Sequence, residues 1–133
     1  MILDSSAIVA VIRGEPVATD LLPLLAAVDQ RAVGAPTLVE AGIVLVARLG
    51  PAGRTLLVRF CDELDIAEIP FTAEHWPVAL DAFQRFGKGR HTAALNFGDC
   101  LTYAVAKHAD EQLLCVGEDF PQTDLDVITA GSS

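Results

Sequence analysis

At 133 residues, 52% of them hydrophobic, the chain is long enough to bury the core of one domain and too apolar to be disordered by default. Its apolar runs are broken by Gly, Pro and charge before any reaches the roughly 18–20 residues of a membrane span, and Met1-Ile2-Leu3-Asp4 has no basic secretory flank, so the reading is a soluble, cytoplasmic protein with no membrane partner. A net charge of −9 counts against broad electrostatic binding of nucleic acid, although a loaded cation site or a basic partner would offset it.

Residues 1–4 read as a short strand ending at an acid. Ser5 and Ser6 can cap a helix over about 7–13, which Gly14 ends. Pro16 suits the first turn of a second helix, about 17–30, with Leu21, Leu22, Leu25 and Val28 at helical spacing. A strand near 32–34 precedes a long helix from Pro36-Thr37 to about Leu49, and Gly50-Pro51 separates it from a helix over 52–64. Ile66 to Ile69 form a strand, and Thr72 caps a helix over about 73–86. A glycine-rich basic loop spans 87–97, a helix runs from Gly98 or Asp99 to about His108, and strands follow at 113–116 and near 127–128. The end, from Ala130 to Ser133, reads as a frayed tail. Cys61, Cys100 and Cys115 lack zinc spacing and read as buried apolar groups.

Short apolar strands alternating with helices predict an α/β fold: one three-layer α/β/α domain over 1–133 with a parallel sheet. Ligands in such sheets bind beyond the carboxyl ends of the strands, where strand order reverses. Asp4 ends the first strand, Glu40 lies early in the helix after the second, Asp99 opens a helix, and Asp119 follows the fourth strand. The topology can therefore gather four acids distant in sequence. Glu40 interrupts an apolar helix face, and Asp4 and Asp99 have apolar neighbours, contexts in which carboxylates need a partner or a cation. Oxygen-only ligands favour Mg²⁺ or Mn²⁺. Taken singly, Asp4 also suits a helix N-terminus, Asp99 an N-cap, and Asp119 a turn in which Glu118 could replace it.

The chain resembles the PIN-domain ribonucleases and, among them, the VapC toxins of bacterial toxin–antitoxin pairs. The resemblance spans essentially the whole chain. Its carriers are Met-Ile-Leu-Asp-Ser-Ser-Ala-Ile at 1–8, Ala-Pro-Thr-Leu-Val-Glu at 35–40, Phe-Gly-Lys-Gly-Arg-His at 86–91, Leu-Asn-Phe-Gly-Asp-Cys-Leu-Thr-Tyr-Ala at 95–104 and Leu-Leu-Cys-Val-Gly-Glu-Asp-Phe at 113–120. Gly-Glu-Asp-Phe departs from the family's usual Gly-Asn-Asp-Phe but retains the acid at Asp119. The resemblance implies a five-stranded parallel sheet in order 3-2-1-4-5, Mg²⁺- or Mn²⁺-dependent endonucleolytic cleavage of RNA, a VapB-like antitoxin and a homodimer.

On that reading Asp4 and Asp99 are direct metal ligands, and Glu40 and Asp119 complete the site directly or through water, where metal-activated water attacks the phosphodiester. Ser6 either holds Asp4 or a metal-bound water, or caps the helix. Asn96 either orients Asp99 or contacts substrate, or is a turn residue. Lys88 and Arg90 supply charge to substrate phosphate, with Gly87 and Gly89 letting the backbone approach. Trp76 and Tyr103 read as core. An aspartyl phosphatase would carry an acid where Ser6 stands, and a receiver domain would want a Lys that Gly117-Glu118-Asp119 does not provide. The non-enzyme alternative is a catalytically silent RNA- or protein-binding module of the same fold.

Overall fold

Five short strands form one all-parallel sheet: β1 (Ile2–Leu3), β2 (Arg31–Gly34), β3 (Ile66–Ile69), β4 (Leu113–Val116) and β5 (Val127–Ala130), in the order β3-β2-β1-β4-β5. Six helices connect them: α1 (Ser5–Ile12), α2 (Ala18–Ala26), α3 (Ala35–Leu49), α4 (Ala52–Glu63), α5 (Trp76–Phe86) and α6 (Phe97–Ala109). This computed structural model describes residues 1–130; Ala130, read as the start of a frayed tail, is instead buried as the last residue of β5, paired with Val116, and the rest of that tail, 131–133, lies outside the described residues.

The layers follow from side-chain alternation along the central strands. Leu3 and Leu114 face a core shared with Ile8, Leu21, Leu25 and Leu45 of α1, α2 and α3. Their neighbours Ile2, Leu113 and Cys115 face the opposite core, with Ala82 of α5 and Tyr103 and Val105 of α6. Both faces of the sheet are therefore covered, as the near-continuous apolar strands require. None of the described helices is long and apolar enough to cross a membrane.

Three local expectations change. The second helix stops at Ala26 instead of reaching residue 30. Pro23 already removes one amide from its last turn, and the Arg31 guanidinium takes the carbonyls of Leu25 (2.8 Å) and Val28 (3.0 Å), which ends the helix with those acceptors satisfied. The fifth helix starts at Trp76, not Ala73. Pro77 has no amide to give the Ala73 carbonyl, so it is tolerated only in the first turn, and residues 72–75 form a turn in which the Thr72 amide donates to His75 Nδ1 at 3.0 Å. Trp76, read as core, is 59% exposed because it starts α5 at the surface, whereas Tyr103 is buried. Cys100 and Cys115 are buried and Cys61 half-buried, all as free thiols.

Candidate metal centre

The reversal of strand order falls between β1 and β4, and the acids gather at that edge. Asp4 leaves β1 as the N-cap of α1 and is 5% exposed. Its Oδ2 accepts from the Ser6 amide (3.2 Å) and the Ser6 hydroxyl (2.6 Å). The Ser6 hydroxyl in turn accepts from the Val116 amide at the end of β4 (3.0 Å), so one side chain ties Asp4 to the neighbouring strand across the switch point. Asp4 Oδ1 is buried with no hydrogen-bond partner among the described residues.

Glu40 is held from two sides. Ser5 donates to its Oε1 at 2.7 Å. Its Oε2 lies against Gly98, where any Cβ would collide with it. Glycine in the first turn of α6 thus admits the carboxylate to a place no other residue would leave open. Behind this contact, Thr37 of α3 and Thr102 of α6 share a buried hydrogen bond of 2.9 Å that fixes the two helices together.

Asp99 is the third residue of α6, not its cap. Asn96 is the N-cap: its side chain accepts from the Asp99 amide (2.9 Å), and the Asp99 carboxylate accepts from the Asn96 amide (3.0 Å), a reciprocal capping box. Burial raises the Asp99 pKa, the hydrogen bond from the Asn96 backbone opposes the rise, and the charges of Asp4, Glu40 and Asp119 add to it, leaving it at about 6. Asp119 is exposed, just past Gly117, whose φ of 104° turns the chain out of β4. It is Asp119, and not Glu118, whose charge reaches Asp99. Cys115 beneath them is pushed up to about 12 by burial and by Asp4, Glu118 and Asp119, so it stays a neutral thiol.

The charges of Asp4, Glu40 and Asp119 therefore converge on Asp99. Among the described residues no three acid, His or Cys side chains close into a ready-made metal cage. A hard divalent ion such as Mg²⁺ keeps several waters and takes only one or two carboxylates directly, so it does not require such a cage. The unpaired buried Asp4 Oδ1, the all-oxygen donor set and the raised Asp99 carboxyl all fit such an ion.

The basic loop is drawn toward this edge by its backbone. The Lys88 amide donates to the Leu95 carbonyl (2.9 Å), placing Lys88 beside the residue that precedes Asn96. Lys88 and Arg90 are exposed, and the Arg90 guanidinium sits 5.5 Å from the centre of the Phe83 ring. Sequence reasoning missed Ser5 and Gly98 as partners of Glu40. A glycine beside an acid in a helical first turn was the available signal, but the identity of its neighbour depends on how α3 packs on α6. It also missed Asp124, whose carboxylate accepts from Tyr103 (2.6 Å), Lys107 (3.1 Å) and Arg85 (3.2 Å), the first two lying further along α6 than Asp99.

The PIN domain family profile matches residues 1–125. The chain is 51% identical over 127 residues to ribonuclease VapC36 of Mycobacterium tuberculosis, covering 95% of this chain and 91% of that one. It is 37% identical over 125 residues to a ribonuclease VapC of Mycolicibacterium smegmatis, covering 94% and 97%. Among solved structures it resembles VapBC2 from Rickettsia felis bound to a promoter DNA fragment (TM-score 0.78, 17% identity, 97% of each chain). It also resembles Mycobacterium tuberculosis VapC20, a sarcin–ricin loop cleaving toxin (TM-score 0.77, 16% identity, 93% of this chain and 95% of that one). The parallel sheet with its 3-2-1-4-5 order and the similarity along nearly the full chain agree: this chain belongs to the PIN-domain family and, within it, to the VapC ribonucleases.

Proposed function

We propose that the protein is the endoribonuclease toxin of a toxin–antitoxin pair, acting in the cytoplasm and dependent on Mg²⁺ or Mn²⁺ held by Asp4 and Asp99, with Glu40 and Asp119 completing the site. The observation that carries the metal reading is the buried, unpartnered Asp4 Oδ1 beside Asp99, whose carboxyl is raised to about 6 by burial and by the charges of Asp4, Glu40 and Asp119. A bound divalent ion supplies the charge that a phosphodiester needs as it gains negative charge in the transition state, and makes water a competent nucleophile at neutral pH.

The chain's own residues do the rest. Ser6 fixes one oxygen of Asp4 and leaves the other free to ligate. Asn96 holds Asp99 at the start of α6 through the capping box. Ser5 and Gly98 fix the direction of Glu40. Lys88 and Arg90, exposed on the adjoining turn, contact substrate phosphates and orient the strand without reading its bases.

A VapB-like antitoxin is the partner this reading requires. A homodimer is the second assembly it predicts, and exposed apolar residues on α3 and α5, among them Ile43 (64%) and Leu80 (52%), are available for such contacts.

The test is cleavage of total cellular RNA by antitoxin-free protein with Mg²⁺ or Mn²⁺, with EDTA, and with Asp4→Ala. Discrete fragments that need the metal and vanish in Asp4→Ala support the reading. Metal binding without cleavage across RNA pools would instead favour a silent binding module.

A further inference from the structure

The four acids are not held alike. Ser6 fixes Asp4, Ser5 and Gly98 direct Glu40, and the Asn96 capping box holds Asp99. Asp119 precedes a short 3₁₀ turn, Phe120–Gln122, and makes no side-chain capping bond to it. Its place therefore depends on the backbone that carries it, the segment between β4 and β5.

That segment is a strap fastened at three points. At its start the Thr129 hydroxyl of β5 donates to the Gly117 carbonyl at 2.9 Å. In the middle, Phe120 is 4% exposed and sits in the same core as Tyr103. At the far end Asp124 is gripped from two helices. Tyr103 of α6 donates to its Oδ1 at 2.6 Å, and Lys107 of α6 and Arg85 of α5 donate to its Oδ2 at 3.1 and 3.2 Å. Between Asp119 and Asp124 the chain bonds to itself. The Gln122 amide donates to the Asp119 carbonyl (3.2 Å), and the Thr123 amide and hydroxyl both donate to the Phe120 carbonyl (3.0 and 2.7 Å). A shift at Asp124 is thus passed on to Asp119 instead of being taken up by slack chain.

Tyr103 is the fastening that reaches the site. It stands one helical turn beyond Asp99, so the two side chains leave the same face of α6. Tyr103 is 1% exposed, and a phenylalanine would fill the same core; the hydroxyl adds the bond to Asp124. One face of α6 therefore carries Asp99 itself and, a turn later, the tie to the strap that bears Asp119.

We propose that Tyr103 and Asp124 are positioning residues: their hydrogen bond ties the Asp119 strap to α6 and holds Asp119 in register with Asp99 for the metal. The inference rests on the metal reading above. It supplies for the fourth acid the kind of support that Ser6, Ser5 and Asn96 give the other three.

The test uses the full chain and Mn²⁺ alone as the probe, with Tyr103→Phe, Asp124→Ala, Asp119→Ala and the double variant Tyr103→Phe/Asp119→Ala. Calorimetry should show Mn²⁺ affinity lowered about ten-fold in Tyr103→Phe and in Asp124→Ala, as when an outer-shell partner is lost. In the Asp119→Ala background Tyr103→Phe should cost nothing more, because the acid it positions is gone. A role in folding alone would weaken binding in both backgrounds. In metal-free protein, amide exchange at Gln122 and Thr123 should quicken in Tyr103→Phe while that of α6 is unchanged. With RNA present, the Mn²⁺ concentration for half-maximal cleavage should rise by the same factor, with kcat at saturating Mn²⁺ retained. If Tyr103→Phe binds Mn²⁺ as wild type does, the tie is wrong and the metal site stands. If it weakens binding equally with and without Asp119, it acts through α6 and Asp99, and the proposal is again wrong. If wild type binds no Mn²⁺, the metal reading and the tie fall together.

Discussion

At the scale of single residues, the site depends on atoms that cannot be exchanged for near-equivalents. Glu40 keeps its direction because Ser5 donates to one oxygen and glycine at 98 leaves room for the other. Gly98→Ala would favour the helix intrinsically by about 1 kcal/mol, yet its Cβ must displace the Glu40 carboxylate. We expect calorimetric Mn²⁺ affinity to fall by about ten-fold or more, as when an outer-shell partner is lost, with the far-ultraviolet dichroism unchanged; wild-type affinity would refute the clamp. Asp99 carries a second consequence. Its folded pKa of about 6 lies above the ordinary 3.8, so the folded state holds the proton more tightly than the unfolded chain. The stability this provides is fully present below about pH 3.8 and is lost as pH rises through about 6. In metal-free buffer at pH 7, Asp99→Asn should therefore be more stable than wild type, by about 1 kcal/mol after allowance for solvent screening. The advantage should vanish near pH 3–4, and the variant should not cleave RNA. Urea titrations across that range would show it, and a destabilised Asp99→Asn at pH 7 would contradict the electrostatic account.

At the scale of elements, α6 is the axis of the site. It presents Asp99 at its start, packs on α3 through the Thr37–Thr102 hydrogen bond, and is tied further along to the segment before β5 through Asp124. Burial alone would raise the Asp124 pKa; hydrogen bonds from Tyr103 and Lys107 and the charges of Lys107 and Arg85 outweigh it and hold it below the usual value. The sign is opposite to that of Asp99. The stability Asp124 contributes is present above the ordinary carboxylate pKa and disappears as pH falls through the lowered one. Asp124→Asn removes the charge that three donors share, and because the group is partly exposed the expected cost is about 1 kcal/mol at pH 7. That difference should shrink in acid, and RNA cleavage at saturating metal should be retained. Lost cleavage with unchanged stability would assign Asp124 a role in the chemistry that its position does not suggest.

For the molecule as a whole, the acidic surface sets how RNA can be held. If Lys88 and Arg90 supply the principal phosphate contacts, the slope of log K against log salt should be shallow, about −1.4 for two contacts to a single strand, and Arg90→Ala should reduce it by about 0.7. Anisotropy of a labelled RNA at several salt concentrations measures this directly. A slope several times steeper would mean that a larger basic surface, assembled by a partner or a second copy, carries the binding.

The sequence alone determined the order and type of elements, because apolar runs too short for helices, glycine and proline breaks, and helical spacing are local signals that the chain carries within each segment. It also placed Asp4, Glu40, Asp99 and Asp119 in contexts that a carboxylate tolerates only for a reason. Where local signals competed, the reading slipped: the 17–30 helix yielded to Pro23 and the reach of Arg31 from β2, and Trp76 looked like core until Pro77 fixed the start of α5 at the surface. Other features were decided only in three dimensions. The packing of α3 on α6 brings Glu40 against Gly98, and the pairing of β1 with β4 lets Ser6 bridge Asp4 to Val116. These contacts join residues from 58 to 110 positions apart. No local propensity encodes such a distance; it exists once the hydrophobic layers have closed on both faces of the sheet.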